Sequence, residues 1–238
     1  MAAKACSVLI TGANRGLGLE MVKQMVESPW PVRQLLACCR DLDGTNRSGF
    51  SLAVDWLTFS PLCLSDAGLN LLVNNTGVLT YGTMQTTSTQ KMQAAFNTNI
   101  MGPMDVTKEF LPYLQAAATA SGKPGMSCSK PAVVSISSTV GSIATIKEIL
   151  SPFSLPAPPF LSSQAGLNML TLCATEEFRK DEILFAVLHP GWVRTDMGGE
   201  GGAIDAPESV EGLLCMMDSL TEKQTGAFLD HEGKVMPW

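Results

Sequence analysis

The chain has 238 residues, 45% of them apolar and 16% charged, and a formal net charge of −6. That size and balance suit one compact α/β domain with a sizeable core. The negative charge, with no basic run, argues against a nucleic-acid partner, and no apolar run approaches the roughly 18 residues of a membrane span.

Met1-Ala2-Ala3-Lys4 leads into a short apolar run ending at Thr11. The run is too short for a signal-peptide core and is expected to be a first strand, residues 5–10. Residues 16–27 carry Leu17, Met21, Val22, Met25 and Val26 at helical spacing. A second strand is expected at 34–39. Residues 43–66 show little periodicity, with a strand at 51–54 ending at Asp55. A strand at 69–73, a helix at 91–114 and a strand at 132–136 follow. Residues 151–160 contain Pro152, Pro156, Pro158 and Pro159, and read as an irregular surface loop. A helix at 162–179 and a strand at 183–188 come next. Strands alternating with helices predict a parallel sheet covered on both faces.

The seven cysteines have no C-x-x-C pair, and most sit in apolar runs. They are expected to be reduced, mostly buried thiols in a cytoplasmic protein. With only His189 and His231, a zinc site or a Ser-His-Asp triad is poorly supported and no metal is expected.

Thr11-Gly12-Ala13-Asn14-Arg15-Gly16-Leu17-Gly18 runs from the first strand into the first helix. Glycines there permit a tight turn and let backbone amides approach a pyrophosphate at a helix N-terminus. A plain tight turn is the alternative, but the strand–turn–helix context is the one this chemistry requires.

The T-G-x-x-x-G-x-G spacing resembles that of the short-chain dehydrogenase/reductase family. Asn74-Asn75-Thr76-Gly77, Asn97-Thr98-Asn99-Ile100-Met101-Gly102, Ser135-Ile136-Ser137-Ser138 and His189-Pro190-Gly191-Trp192-Val193-Arg194-Thr195 match in the family's order. Asn14-Arg15-Gly16-Leu17-Gly18-Leu19 and the ending Phe228 to Lys234 look most like the sniffer and C-factor-like carbonyl reductases. The resemblance implies one doubly wound, Rossmann-type parallel sheet with helices on both faces. It implies a single NAD(P)-binding domain over residues 1–238 and covers most of the chain, excepting roughly residues 43–66 and 144–161, which are atypical. Close matches beside both blocks point to local replacement, from a variant transcript or a decaying duplicate.

By the same resemblance Gly12, Gly16 and Gly18 line the pyrophosphate, with Asn14, Arg15 and Leu17 in the same turn. Asn75 and Gly77 flank the adenosine side, and Asp55 matches a residue that contacts the adenine. Val193 and Thr195 sit by the nicotinamide. Thr76 stands where the family usually has Ala. Arg15 and Arg40 resemble the pattern that prefers NADP(H) to NAD(H), since Arg accommodates a 2′-phosphate. The alternative for Arg40 is pairing with Asp41 or Asp43.

The family's Tyr-x-x-x-Lys donates a proton and holds the nicotinamide ribose, while a Ser polarises the carbonyl and an Asn maintains a helix bend and a proton-relay water. Ser138 and Asn99 match the last two. The text Phe160-Leu161-Ser162-Ser163-Gln164-Ala165-Gly166-Leu167-Asn168 places Phe160 at the Tyr position and Gln164 at the Lys position. Phe has no proton and Gln no charge, so turnover and cofactor affinity are both expected to be weak. The bland alternatives are that Ser137 and Ser138 cap backbone, and that Asn99 only bends a helix. Three functions remain open. One is a reductase-like protein with little or no activity. Another is a functioning oxidoreductase for a small carbonyl substrate, with Ser138, a water or Tyr81 as proton source. The last is a non-enzymatic partner of a related subunit, in a homo- or hetero-oligomer built on the helices at 91–114 and 162–179.

Overall fold

The structure, a computed structural model, describes residues 6–27, 32–39, 53–54, 68–122, 124–153 and 157–238, with only the backbone of 53–54 and 150–153. Its strands are β1 (Cys6–Thr11), β2 (Val32–Cys38), β3 (Ala53–Val54), β4 (Leu71–Asn74), β5 (Ala132–Ile136), β6 (Leu184–His189) and β7 (Phe228–Asp230). They form one sheet in the order β3-β2-β1-β4-β5-β6-β7, and neighbouring strands run parallel.

The helices are α1 (Gly16–Glu27), α2 (Thr89–Phe96), α3 (Gly102–Ser121), α4 (Ile146–Phe153), α5 (Pro158–Glu177) and α6 (Ala206–Ser219). Strand side chains alternate between faces with a period of two, and both faces are buried. Val8, Ile10, Val73, Val134 and Leu188 pack with Met21 and Met25 of α1 and Leu213 and Met217 of α6. Leu9, Leu72, Val133 and Phe185 pack with Phe110 and Leu114 of α3. Burial on both faces is why the strands read as continuous apolar runs. Strand and helix positions follow the sequence reading closely for β1, α1, β5 and β6.

Several expectations need correction. The helix expected at 91–114 is two helices, α2 and α3, joined by a π-helical turn at Asn97–Met101, and α3 runs on to Ser121 before Gly122 ends it at φ 64°. The proline loop expected at 151–160 is largely helical: α4 continues to Phe153, and α5 starts at Pro158 rather than at 162. Proline fixes the helical φ and needs no partner in a first turn, so Pro158 and Pro159 start α5 instead of blocking it. The expectation for 154–156 lies outside the described residues, as does most of 43–66, where Ala53–Val54 pairs with β2. The reading missed α6, which Asp205 caps by accepting from the Glu208 N–H at 2.9 Å. Val26 is exposed despite its helical spacing.

The cysteines are less uniformly buried than expected. Cys6, Cys38 and Cys128 are buried, Cys39 is intermediate, and Cys173 and Cys215 are exposed. Burial raises the Cys38 and Cys128 thiols to about 12. Cys63 lies outside the described residues. The apolar residues of α3 mostly face inward. Met101 of the π turn and Met169 of α5 are the large apolar side chains left exposed in these segments among the described residues.

Candidate active site

The strand order turns outward in both directions from β1 and β4. In such sheets the loops leaving the carboxyl ends at this switch point diverge and open a crevice. The turn after β1 lies there. Gly12 and Gly16 have φ 66° and 53°, a region favouring glycine. A β-carbon on Gly18 would come within 2.3 Å of the Gly12 carbonyl oxygen, whereas one on Gly16 would meet nothing within 4 Å among the described residues. Gly18 is thus needed by the fold, and Gly16 faces open space with the exposed Asn14 and Arg15. Leu17 packs back on the core.

Asn75 holds this turn from β4. Its Nδ2 donates to the carbonyls of Thr11 at 2.9 Å and Gly12 at 3.3 Å. The N–H groups of Asn75 and Thr76 both donate to the Thr11 hydroxyl. The Thr76 hydroxyl lies 3.0 Å from where a Gly12 β-carbon would sit, so its bulk is packed against the turn. Gly77 follows, with the Asn99 Oδ1 3.7 Å from its β-carbon direction.

Asn99 lies at the centre of the π turn and is 1% exposed. Its Oδ1 accepts from the Val78 N–H at 2.8 Å, and its Nδ2 donates to the Val78 carbonyl at 2.9 Å and the Ser163 hydroxyl at 2.8 Å. Ser163 in turn donates to the Phe160 carbonyl at 2.8 Å. Both amide hydrogens are therefore spent on protein partners. This single side chain ties the loop after β4, the helix bend and the first turn of α5 together.

Phe160 is 8% exposed and packs with Val140 and Ala157. Gln164, one turn further along α5, is 5% exposed, and its Oε1 has no hydrogen-bond partner among the described residues. Facing them is the short 3-10 turn Thr139–Gly141, capped by Ser138, whose Oγ accepts from the Val140 N–H at 3.4 Å. The Ser138 O–H has no acceptor among the described residues. Ser137 is committed elsewhere: its hydroxyl donates to the Asn168 Oδ1 at 2.7 Å.

The far wall is the end of β6. The neutral His189 accepts the Thr139 N–H on Nδ1 at 3.3 Å, which fixes the Ser138 turn to β6. Desolvation, aided by His231 and opposed by Asp230, lowers the His189 pKa to about 4. Val193 is buried and bridges to Ile204. The Thr195 hydroxyl accepts the Gly198 N–H at 3.1 Å, closing a turn. Across the mouth, Arg15 Nη1 reaches Asp196 Oδ2 at 3.4 Å.

A family profile described as short chain dehydrogenase matches residues 65–203. The chain belongs to the short-chain dehydrogenase family. The C-signal protein of Myxococcus xanthus is 31% identical over 171 residues, 71% of this chain and 93% of that protein. The NADPH-bound carbonyl reductase from chicken fatty liver superposes with a TM-score of 0.91 at 36% identity, over 99% of this chain and 95% of its own. The Drosophila melanogaster carbonyl reductase Sniffer gives 0.87 at 28% identity, over 99% and 100%.

Within this short-chain dehydrogenase fold, the glycine turn, Asn75, Gly77, Asn99, Ser138, Phe160, Gln164, Val193 and Thr195 all fall on the loops and first turns that border the carboxyl end of the sheet. Arg40 and Asp55 lie outside the described residues. Tyr113 packs in the core beside Phe110, away from this edge. Tyr81 is 57% exposed. Sequence reasoning missed Ser163, His189 and Asp196. Only His189 carried a signal, as one of two histidines and the first residue of a matched motif. Among the described residues no helix is long and apolar enough to cross a membrane, and no cluster of metal-ligating side chains occurs.

Proposed function

We propose that the chain is a carbonyl-reductase-like protein with one dinucleotide-binding domain, which keeps a cradle for NADP(H) and has lost most of its turnover. The observation that carries this is Phe160. Its ring is buried among Val140 and Ala157, on the turn of α5 where the family's proton donor is expected, and it has no proton to give.

The cradle fits a dinucleotide on two counts. The open side of Gly16 leaves room for a pyrophosphate at the N-terminus of α1. The unpartnered Gln164 Oε1 can accept from a ribose hydroxyl. In this reading Gly12, Asn14, Arg15, Gly16, Leu17 and Gly18 hold the phosphates, Asn75 and Gly77 the adenosine side, and Val193 and Thr195 the nicotinamide side. Arg40 and Asp55 belong to the adenosine end by resemblance. Arg15 and Arg40 favour the 2′-phosphate, and the NADPH-bound chicken relative supports that preference. Binding is weak because Gln164 supplies no charge.

When bound, the dinucleotide supplies a hydride to a small carbonyl. The resulting alkoxide must gain a proton, and a bare alkoxide in an apolar pocket is very costly. Ser138 can polarise the carbonyl, and its uncommitted O–H favours one competing reading, slow turnover with Ser138 as proton source. Fluorescence titration and an NADPH-oxidation assay with simple aldehydes and quinones test both. NADPH should bind more tightly than NADH, Arg40→Asp should reverse or erase the difference, and oxidation should stay near background. Equal affinities in both proteins overturn the cofactor assignment. Robust oxidation abolished by Ser138→Ala establishes the competing reading instead.

A further inference from the structure

Arg15 sits in the glycine turn, whose Ala13 N–H donates to the Cys38 carbonyl at the end of β2, at 3.0 Å. A 2′-phosphate on the adenosine belongs on that β2 side of the crevice. The Arg15 guanidinium instead points the other way. It reaches Asp196, which follows β6, on the opposite side of β1 in the sheet.

Asp196 is the fixed member of this pair. Its turn is closed by the Gly198 N–H on the Thr195 hydroxyl and by the Gly199 N–H on the Thr195 carbonyl, at 2.8 Å. Gly198 packs so closely that a β-carbon would come within 2.0 Å of the Val193 carbonyl oxygen. The neighbouring cation, Arg194, is engaged elsewhere, with Asp205 at 4.0 Å and the Gly202 carbonyl at 2.8 Å. Among the described residues Arg15 is thus the cation that answers Asp196, through a long and flexible side chain. Their side chains are 64% and 85% exposed, so the pair is weak enough to be exchanged for a stronger anion.

We propose that Asp196 is a cofactor-selectivity residue. It holds Arg15 on the β6 side of the crevice and competes with the dinucleotide's 2′-phosphate for that guanidinium, keeping affinity for the phosphorylated cofactor low. The inference rests on the NADP(H) reading above. It adds a residue on the nicotinamide side of the crevice that sets preference at the adenosine end.

The test is a fluorescence titration of NADPH and NADH against the unmodified protein, Asp196→Asn, Arg15→Ala and the double variant, at two salt concentrations. Both residues are exposed, and thermal melts check that each variant is folded. Asp196→Asn should tighten NADPH by about two- to five-fold, the range that an exposed ion pair supports. NADH should be unchanged, the gain should shrink at high salt, and it should vanish in the Arg15→Ala background. The proposal is overturned if Asp196→Asn leaves NADPH affinity unchanged, tightens both dinucleotides equally, or retains its gain without Arg15. If none of the four proteins binds either dinucleotide, the NADP(H) reading falls and takes this inference with it.

Discussion

Gly141 and Gln164 are packed so closely that a β-carbon at position 141 would come within 3.0 Å of the Gln164 Cβ, yet the Gln164 Oε1 has no hydrogen-bond partner among the described residues. The stem of this side chain is fixed while its acceptor is unused. A buried unsatisfied acceptor costs roughly 1–3 kcal/mol, and replacing it with an apolar group of similar shape can be neutral or stabilising. Gln164→Leu should therefore leave the urea midpoint unchanged or raise it, while weakening NADPH in titration. Lower stability together with unchanged NADPH affinity would show that Gln164 serves the fold and not a ribose.

Phe160 and Gln164 lie four residues apart on α5, so they share one helix face. The double change Phe160→Tyr with Gln164→Lys should place the restored pair correctly, because Pro158 and Pro159 begin the helix rather than interrupt it. Turnover with aldehydes should rise by roughly 10²-fold or more. Either single change should do less: Tyr without Lys titrates near about 10, and Lys without Tyr has no proton to relay. Steady-state NADPH oxidation by the four proteins is the check. A single change matching the double would overturn the argument.

The two glycines of the turn should separate stability from binding. Gly18→Ala forces a β-carbon onto the Gly12 carbonyl and should lower both the melting temperature and NADPH affinity. Gly16→Ala meets no atom of the described residues within 4 Å but keeps φ 53°, a strain of roughly 1–2 kcal/mol. It should melt close to the unmodified protein after that small cost, yet lose NADPH binding. Undiminished binding by Gly16→Ala would place the pyrophosphate elsewhere.

His189 makes stability depend on pH. Its folded pKa is lowered to about 4 from 6.5, through desolvation first and then the nearby His231, with Asp230 opposing. Below 6.5 the unfolded chain binds a proton that the folded chain does not. Stability is thus lost as pH falls from about 6.5 towards 4, by an amount on the order of 1.4 kcal/mol per pH unit. The Thr139 N–H also loses its acceptor once Nδ1 is protonated. Urea midpoints measured from pH 7.5 to 4.5 should fall across this window. They should fall less in His189→Gln, which does not titrate and can still accept from Thr139. Parallel profiles would remove His189 from the account.

The centre of the sheet was legible because β1, β4, β5 and β6 are buried on both faces, so runs such as Val8-Leu9-Ile10 and Val133-Val134 are apolar at every position. The glycine turn was legible because Gly12 and Gly16 occupy φ values that other residues avoid. What misled was local. Pro158 and Pro159 are helix starters because the residue before them, Ala157, is not helical (φ −142°), which composition does not show. The π turn at Asn99 depends on a hydrogen-bond donor 21 residues back, the Val78 N–H. Asp196 gave no signal, because its partner Arg15 is 181 residues away.

The staples around the site are closed circuits. Asn99 spends both amide hydrogens on Val78 and Ser163, Ser137 donates to Asn168, and Asn168 donates to the Gly141 carbonyl at 3.3 Å. Each is retained by the architecture alone, whether or not anything is turned over. The Phe160 ring, the Gln164 amide and the Ser138 hydroxyl take part in none of these four bonds. Changes at those three side chains can therefore alter the chemistry of the crevice while its frame stays bonded as it is.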